Sequence, residues 1–287
     1  MQKERVSENV YWFQSDVYAQ ATAGAIIGPQ WAVLIDTLMP QEAPQIKHFL
    51  ETDLMVPVRY IINTHHHADH SWGNSFFPNA TVIGHSLCRE LMLNRSKSAL
   101  AEAGNENPLF REIAIVAPQI TFSSGEIYLR VGKKQITIFP TPGHSEDGIS
   151  VLLEEDRILF TGDAFMPIPF IVGGDIDVSF ETLKLIGSMS LENIIQGHGD
   201  IILRGEIEDA VQLNINYLKL IQKLAKTALR RRSPIEYLQA QDIETAGKPR
   251  VLLGGLAQDL HQRNLLWLYR DYVRKEALEK QGQSCQD

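Results

Sequence analysis

Four apolar runs in this chain break off into short polar loops that carry imidazole or carboxylate groups, and this repetition constrains the fold more than any other feature. The densest loop is Thr64-His65-His66-His67-Ala68-Asp69-His70, after the strand-like run 58–63. Thr141-Pro142-Gly143-His144 follows 135–139, Thr161-Gly162-Asp163 follows 157–160, and Gln196-Gly197-His198-Gly199 follows 193–195. Strand-length apolar runs bounded by Gly, Pro and Asp, with helical spacings between them, make the first two-thirds of the chain a mixed α/β (α+β) unit.

Strands are expected at 10–14, 23–28, 32–37, 58–63, 81–84, 136–139, 149–153, 157–160 and 193–196. Helices are expected at 44–52, at 86–94 with Ser86 as N-cap, and after Ser179 as cap for Phe180, Leu183, Ile186 and Met189. Residues 105–119 carry no period and read as a loop. Beyond about Gly205 the pattern turns helical: Val211, Leu218, Ile221, Ala225 and Ala228 recur at helical spacing. Ser233-Pro234 marks a further helix start, and 256–278 reads as a last helix. Arg230-Arg231-Arg232 reads as a solvated helix end, where cations suit the dipole.

The totals exclude several classes. The net charge of −8 argues against general nucleic-acid binding, which draws on Lys and Arg. No apolar stretch reaches the ~18–20 residues of a membrane span. Met1-Gln2-Lys3-Glu4-Arg5-Val6-Ser7-Glu8 holds no apolar leader core. Two cysteines, Cys88 and Cys285, form no disulfide framework. The expectation is a cytoplasmic protein acting on a small molecule, without nucleic acid or membrane. Its oligomeric state is left open, a homodimer included.

The loops together offer five histidines and two aspartates. In H-x-H-x-D-H, the histidines at i and i+2 can turn to one metal, and the aspartate and last histidine to a second. We assign His65, His67 and His144 to one site, and Asp69, His70 and His198 to the other, with Asp163 bridging. Donors of this kind at ~2.0–2.2 Å suit zinc, and iron or manganese also accept them. Two ions ~3.5–4 Å apart lower the pKa of a bound water and polarise a carbonyl or phosphoryl oxygen. Two Zn2+ per chain are therefore expected, with Asp69 and Asp163 as catalytic residues as well as ligands. No Gly-x-Ser-x-Gly is present, and neither cysteine adjoins the loops, so the reading is a metal-dependent hydrolase.

The remaining histidines read differently. His66 should point away from the metals, His85 should be structural, and His48 should be an exposed helix residue. His261 reads as a helix-surface residue, the alternative being a group that reaches over the pocket. Asp36 ends a strand and is either a buried acceptor for a ligand imidazole or an ordinary turn residue. The apolar stretch 165–171 reads as a substrate wall or lid.

These motifs resemble the metallo-β-lactamase superfamily over roughly 10–205. The resemblance implies a four-layer αββα sandwich with the metals at one edge, a catalytic domain over 1–205, and a helical C-terminal extension over 206–287. The commonest zinc β-lactamases carry a cysteine where this chain has Asp163, which argues against β-lactam cleavage. Acyl-homoserine lactonases carry a tyrosine shortly after the bridging aspartate, whereas Ala164, Phe165 and Met166 stand here. Glyoxalase II-like thioesterases share the ligand set and a helical extension, and the tail around 261–270 is similar to SoxH-like members. Of the ester-like bonds, thioester comes first, then lactone or amide. The competing readings are a mononuclear iron oxygenase like persulfide dioxygenases, a β-lactamase-like amide hydrolase, and a non-catalytic sensor.

Overall fold

The computed structural model describes residues 1–284 of the 287, so Cys285 lies outside the described residues. The first sheet runs in the order β1 (Gln2–Ser7), β2 (Val10–Gln14), β3 (Thr22–Ile27), β4 (Ala32–Ile35), β5 (Val58–Ile62), β6 (Thr81–His85), β7 (Ile120–Phe122). Strands β1 to β4 form an antiparallel meander, and β4 to β7 are parallel. The second sheet contains β8 (Ile127–Val131), β9 (Lys134–Pro140), β10 (Ile149–Leu153), β11 (Ile158–Gly162), β12 (Asn193–Gln196) and β13 (Ile202–Leu203), in reverse spatial order. Only β11 and β12 are parallel in it.

The apolar runs are nearly continuous because both faces of each sheet are covered. Alternate residues then go to different cores. Val33, Ile35, Ile62 and Ile83 of the first sheet meet Val151, Ile158, Phe160 and Ile195 of the second in the central core. Leu34, Ile61 and Val82 point outward to Ile46, Phe49 and Leu50, which lie on α1 (Ala43–Lys47) and the π-helical turn His48–Asp53 that continues it. Leu152, Leu159 and Ile194 point outward on the other side, beneath the C-terminal helices. The result is a four-layer αββα sandwich.

The remaining helices are α2 (Ala68–Ser71), α3 (Ser86–Leu91), α4 (Lys97–Glu106), α5 (Ile176–Ser188), α6 (Ile207–Ala228), α7 (Pro234–Gln239) and α8 (Ala257–Ser284). Helices α5 to α8 share one core with the outer face of the second sheet, through Leu183, Leu218, Ile221, Leu238 and Leu265. Among the described residues no helix is long and apolar enough to cross a membrane.

Several elements depart from the sequence reading. β1 is a polar edge strand whose Lys3, Glu4 and Arg5 hide it from pattern reading, and charges of this kind protect a sheet edge. Strands β7 and β8 were not expected either: β7 has no fully buried residue, and β8 buries only Val131 completely, with Ile127 and Leu129 half-buried against the central core. The expected loop 105–119 begins in the last residues of α4 and holds the 3-10 turn Pro108–Glu112. Helix α3 runs through a π-turn at Met92–Ser96 into α4. Its N-cap is His85, whose Nδ1 accepts the Leu87 N–H, while the Ser86 hydroxyl donates to Phe122 C=O. Helix α5 is capped by Asp175, which accepts the N–H groups of Asp177 and Val178, rather than by Ser179. A carboxylate at a helix N-terminus also meets the positive end of the dipole, an advantage serine lacks.

Candidate metal centre

All four ligand loops leave the same edge of the sandwich. His65, His66 and His67 follow β5, and Asp69 and His70 sit in the single turn of α2. His144 lies between β9 and β10, Asp163 follows β11, and His198 follows β12. The β11–β12 register slips between Phe160 and Gly162, and Gly162 adopts φ +49, a left-handed value that suits glycine. That kink turns Asp163 inward, as bulges do beside functional sites. Gly197 has a separate duty: a Cβ there would lie 2.0 Å from Asp163 Oδ1.

The seven residues gather into two groups, His65, His67, His144 and Asp163 in one, and Asp69, His70 and His198 in the other. In the first, His67 Nδ1 lies 2.9 Å from His65 Nε2 and 3.0 Å from His144 Nε2. Asp163 Oδ2 lies 3.3 Å from His144 Nε2 and 3.7 Å from His65 Nε2. Its other oxygen, Oδ1, lies 3.2 Å from His70 Nε2 and 3.3 Å from His198 Nε2. Asp69 Oδ2 completes the second group, 3.3 Å from His198 Nε2 and 3.7 Å from His70 Nε2.

The outer ring nitrogens determine where the inner lone pairs point. His144 Nδ1 donates to Phe170 C=O at 2.7 Å, and His198 Nδ1 donates to Ala19 C=O at 2.8 Å. His70 Nδ1 donates to Asp36 Oδ2 at 2.9 Å. The Thr64 hydroxyl donates to the same Asp36 oxygen at 2.7 Å and so accepts from His65 Nδ1 at 3.1 Å. Each of these four rings therefore spends Nδ1 outward and turns Nε2 to the cluster, the nitrogen that a metal-bound imidazole offers. Asp36, 2 % exposed, steadies one histidine of each group, which decides between its two sequence readings in favour of the buried acceptor.

Electrostatics point the same way. Burial pushes the His67 imidazole down, and His144 pushes it further, to about 3. Burial also pulls His65 well below its ordinary value. Burial opposes the charge on His198, but Asp163 and Asp69 outweigh it and lift the group to about 10. Burial raises the Asp69 carboxyl, yet His70 and His198 overcome this and hold it at about 2. His70 Nε2 and Asp163 Oδ1 are both buried and have no hydrogen-bond partner. Imidazole nitrogens and ionised carboxylates converging in a buried volume fit a divalent metal site, and cations would replace the protons on His70 and His198 that otherwise balance the charge.

The other histidines sort cleanly. The His66 N–H and ring Nδ1 engage buried Asp147, at 2.8 Å and 3.0 Å, away from the two groups. His85 is the structural cap already described. His48 is exposed and faces Asp53 at 3.5 Å. His261 corrects the sequence reading: it is 1 % exposed, with Nδ1 3.2 Å from the Tyr217 hydroxyl. Helix α8 is flanked by α6 and α7, so a position that reads as surface is covered by neighbours the local pattern does not reveal.

A cavity of about 580 Å3 opens over the two groups. The stretch 165–171 divides its roles: Met166 and Phe170 line the cavity, whereas Phe165, Ile168 and Ile171 are buried in the C-terminal core. Leu253, Leu256 and Leu260 from the tail form another part of the wall, with Tyr18, Trp72 and Arg95. None of these six was singled out in the sequence, because all but Trp72 lie far from the ligand loops along the chain. Asp147 was also missed, although it stands only three residues after His144.

The sequence profile of the Metallo-beta-lactamase superfamily matches residues 19–207, and the chain belongs to that superfamily. It is 29% identical over 201 residues to the lactamase-like protein nscB of Trichophyton equinum, covering 68% of this chain and 54% of that protein. It is 28% identical over 173 residues to the thioesterase pkgB of Emericella nidulans, covering 60% of this chain and 43% of that protein. The chain spans about half the length of the curated relatives it matches. Among solved structures, a metallo-beta-lactamase family protein from Thermus thermophilus aligns with TM-score 0.67 at 20% identity, covering 94% of both chains. A metallo-beta-lactamase from Pontibacter korlensis aligns with TM-score 0.59 at 19% identity, covering 74% of this chain and 98% of that one. These likenesses establish the fold.

Proposed function

We propose that this chain is a dinuclear zinc-dependent hydrolase that cleaves an ester-like bond, first of all a thioester, in a small molecule. The observation that carries the reading is the Asp163 carboxylate, whose two oxygens each face a different group of histidines. On this reading His65, His67 and His144 would hold one zinc and Asp69, His70 and His198 the other, with one Asp163 oxygen offered to each group. When bound, the ions would supply a hydroxide nucleophile at neutral pH and Lewis-acid polarisation of the substrate carbonyl. The chain's part is to hold four of the imidazoles in the Nδ1–H form and to keep both aspartates ionised. Asp69 lines the cavity with Oδ2 3.3 Å from His198 Nε2, where its carboxylate could also accept a proton from a bound water. We assign 1–205 to the catalytic unit and 206–287 to a helical extension that supplies cavity wall.

The cavity supports a partly apolar acyl substrate, since Met166, Phe170, Leu253, Leu256 and Leu260 line it. Arg95 and Arg263 line it as well. Arg263 is paired with Asp259 at 2.8 Å, whereas Arg95 has no ion-pair partner among the described residues, which favours an acidic substrate. The name of the pkgB relative supports thioester over lactone or amide. The test is zinc-loaded protein against an acyl thioester with and without a terminal carboxylate, an acyl lactone, a β-lactam and a phosphodiester, with Asp163→Asn as blank. Thioester cleavage should dominate and should fall at least ~100-fold in the variant, the scale seen when a catalytic group is misplaced. Near-normal turnover by Asp163→Asn would refute the mechanism. One iron per chain with oxygen uptake would replace it with the oxygenase.

A further inference from the structure

The loop between β11 and α5 has no regular secondary structure across 166–171, yet one of its carbonyls orients a residue of the metal centre. Phe170 C=O takes the His144 Nδ1–H at 2.7 Å. A loop carbonyl is only as fixed as the peptides beside it, and both are held by one side chain of the tail. Asn264, on α8, donates through Nδ2 to Pro169 C=O at 2.8 Å and accepts the Ile171 N–H through Oδ1 at 2.9 Å. A carboxamide suits this duty, offering one donor and one acceptor side by side. Asn264 Nδ2 also donates to the Tyr217 hydroxyl at 3.0 Å, leaving the Tyr217 proton for His261 Nδ1. Asn264 and Tyr217 are 0 % exposed. A second tail asparagine works at the other end of the loop: Asn214 Nδ2 donates to Met166 C=O at 2.9 Å, while its Oδ1 accepts from Lys248 Nζ at 2.7 Å. Buried amides are costly unless their bonds are made, and here each of the two amides makes at least one of its bonds to this loop.

We propose that Asn264 is a positioning residue for His144, acting through the Phe170 carbonyl, so that the C-terminal helix sets how tightly the His65–His67–His144 group holds a divalent cation. The inference rests on the metal reading above and not on the reaction. It also gives the tail a role besides cavity wall: α8 and the metal centre stabilise each other, because coupling between two sites is reciprocal.

The test compares Asn264→Asp with Leu265→Ala. The aspartate keeps an acceptor for Ile171 N–H but loses the donor to Pro169 C=O. Leu265, next on the same helix and 0 % exposed in the apolar core, is a control for general destabilisation. Zinc affinity is measured by chelator competition, and the histidine environment by the visible spectrum of the cobalt(II) form. Asn264→Asp should weaken one of two zinc equivalents ~10–100-fold, the range for groups behind metal ligands, and alter the cobalt bands. Leu265→Ala should lower the thermal midpoint without either effect. Zinc affinity within twofold of wild type for Asn264→Asp, or an equal loss for Leu265→Ala, overturns the proposal. A second measurement needs no variant. Zinc added to the wild-type apoprotein should slow hydrogen exchange at the Ile171 amide and across 261–268, and an unchanged tail overturns the coupling. A wild-type chain that binds no zinc ends this inference together with the metal reading. One that binds zinc and cleaves nothing ends only the proposed reaction.

Discussion

Replacing Asp36 with asparagine isolates the support beneath the metal centre. Asp36 Oδ1 accepts the Thr64 N–H at 2.8 Å, and Oδ2 accepts both the Thr64 hydroxyl and His70 Nδ1–H. Asparagine matches the shape but has one oxygen. With that oxygen on the Thr64 amide, its NH2 meets two donors where the carboxylate met none of its own kind. The His70 ring relieves the clash by moving its proton to Nε2, the atom 3.2 Å from Asp163 Oδ1. The lone pair meant for the metal is then gone, and Thr64 loses its hold on His65. Partners of this sort contribute ~10–100-fold to metal affinity, or about 1.4–2.8 kcal/mol. The metal-free fold loses less, because the new tautomer keeps a bond at each ring nitrogen. Chelator competition should show the weakened zinc, and ring-nitrogen NMR of the apoprotein, at a pH high enough for His70 to be neutral, should place its one proton on Nε2. Zinc affinity within twofold of wild type, or a proton still on Nδ1, would refute the reasoning.

Gly197→Ala should drive a methyl into Asp163, since its Cβ would stand 2.0 Å from Oδ1; hydrolysis should drop ~100-fold with an unchanged far-UV spectrum, and retained activity would count against the packing described. Phe160→Ala empties a 2 % exposed position in the central core and should cost about 3–5 kcal/mol in urea denaturation; a loss below ~1 kcal/mol would mean the sheets close over the gap. His261 sets a pH dependence: burial pushes its imidazole from 6.5 down to about 4, against a weaker pull upward from Asp242. Between pH 6.5 and pH 4 the unfolded chain gains a proton that the folded chain refuses, so stability falls as pH falls through that window, by up to about 3 kcal/mol. The slope should be shallower in His261→Gln, with the part carried by His65 and His67 remaining, and an equal slope in both proteins, followed by thermal unfolding, would show that His261 carries none of it.

The strands that lead into the four loops were legible because they are buried on both faces for most of their length and read as nearly continuous apolar runs. Those that were not legible, β1, β7 and β8, are polar or half-exposed, and pairing with a neighbour rather than composition makes them strands. Helix boundaries slipped for a related reason. Asp175 and Ser179 are both acceptable caps locally, and only the turn of the preceding loop decides which carboxylate or hydroxyl meets the free N–H groups.

The local sequence determined the candidate donors: histidine and aspartate at short fixed spacings, each just past a strand, because the capacity to hold a metal resides in residue type. Apolar periodicity marked a mixed α/β chain, and the αββα sandwich followed only from the resemblance of its motifs to the metallo-β-lactamase superfamily. Only the tertiary structure decided which imidazoles share a group, that the two Asp163 oxygens face opposite ways, and that Asp36 steadies both groups. It alone buried His261 and brought Asn264 beside a loop 93 residues earlier in the chain. Distances of that kind are set by how helices and sheets stack, and stacking depends on side chains far apart in sequence, where no local pattern records them.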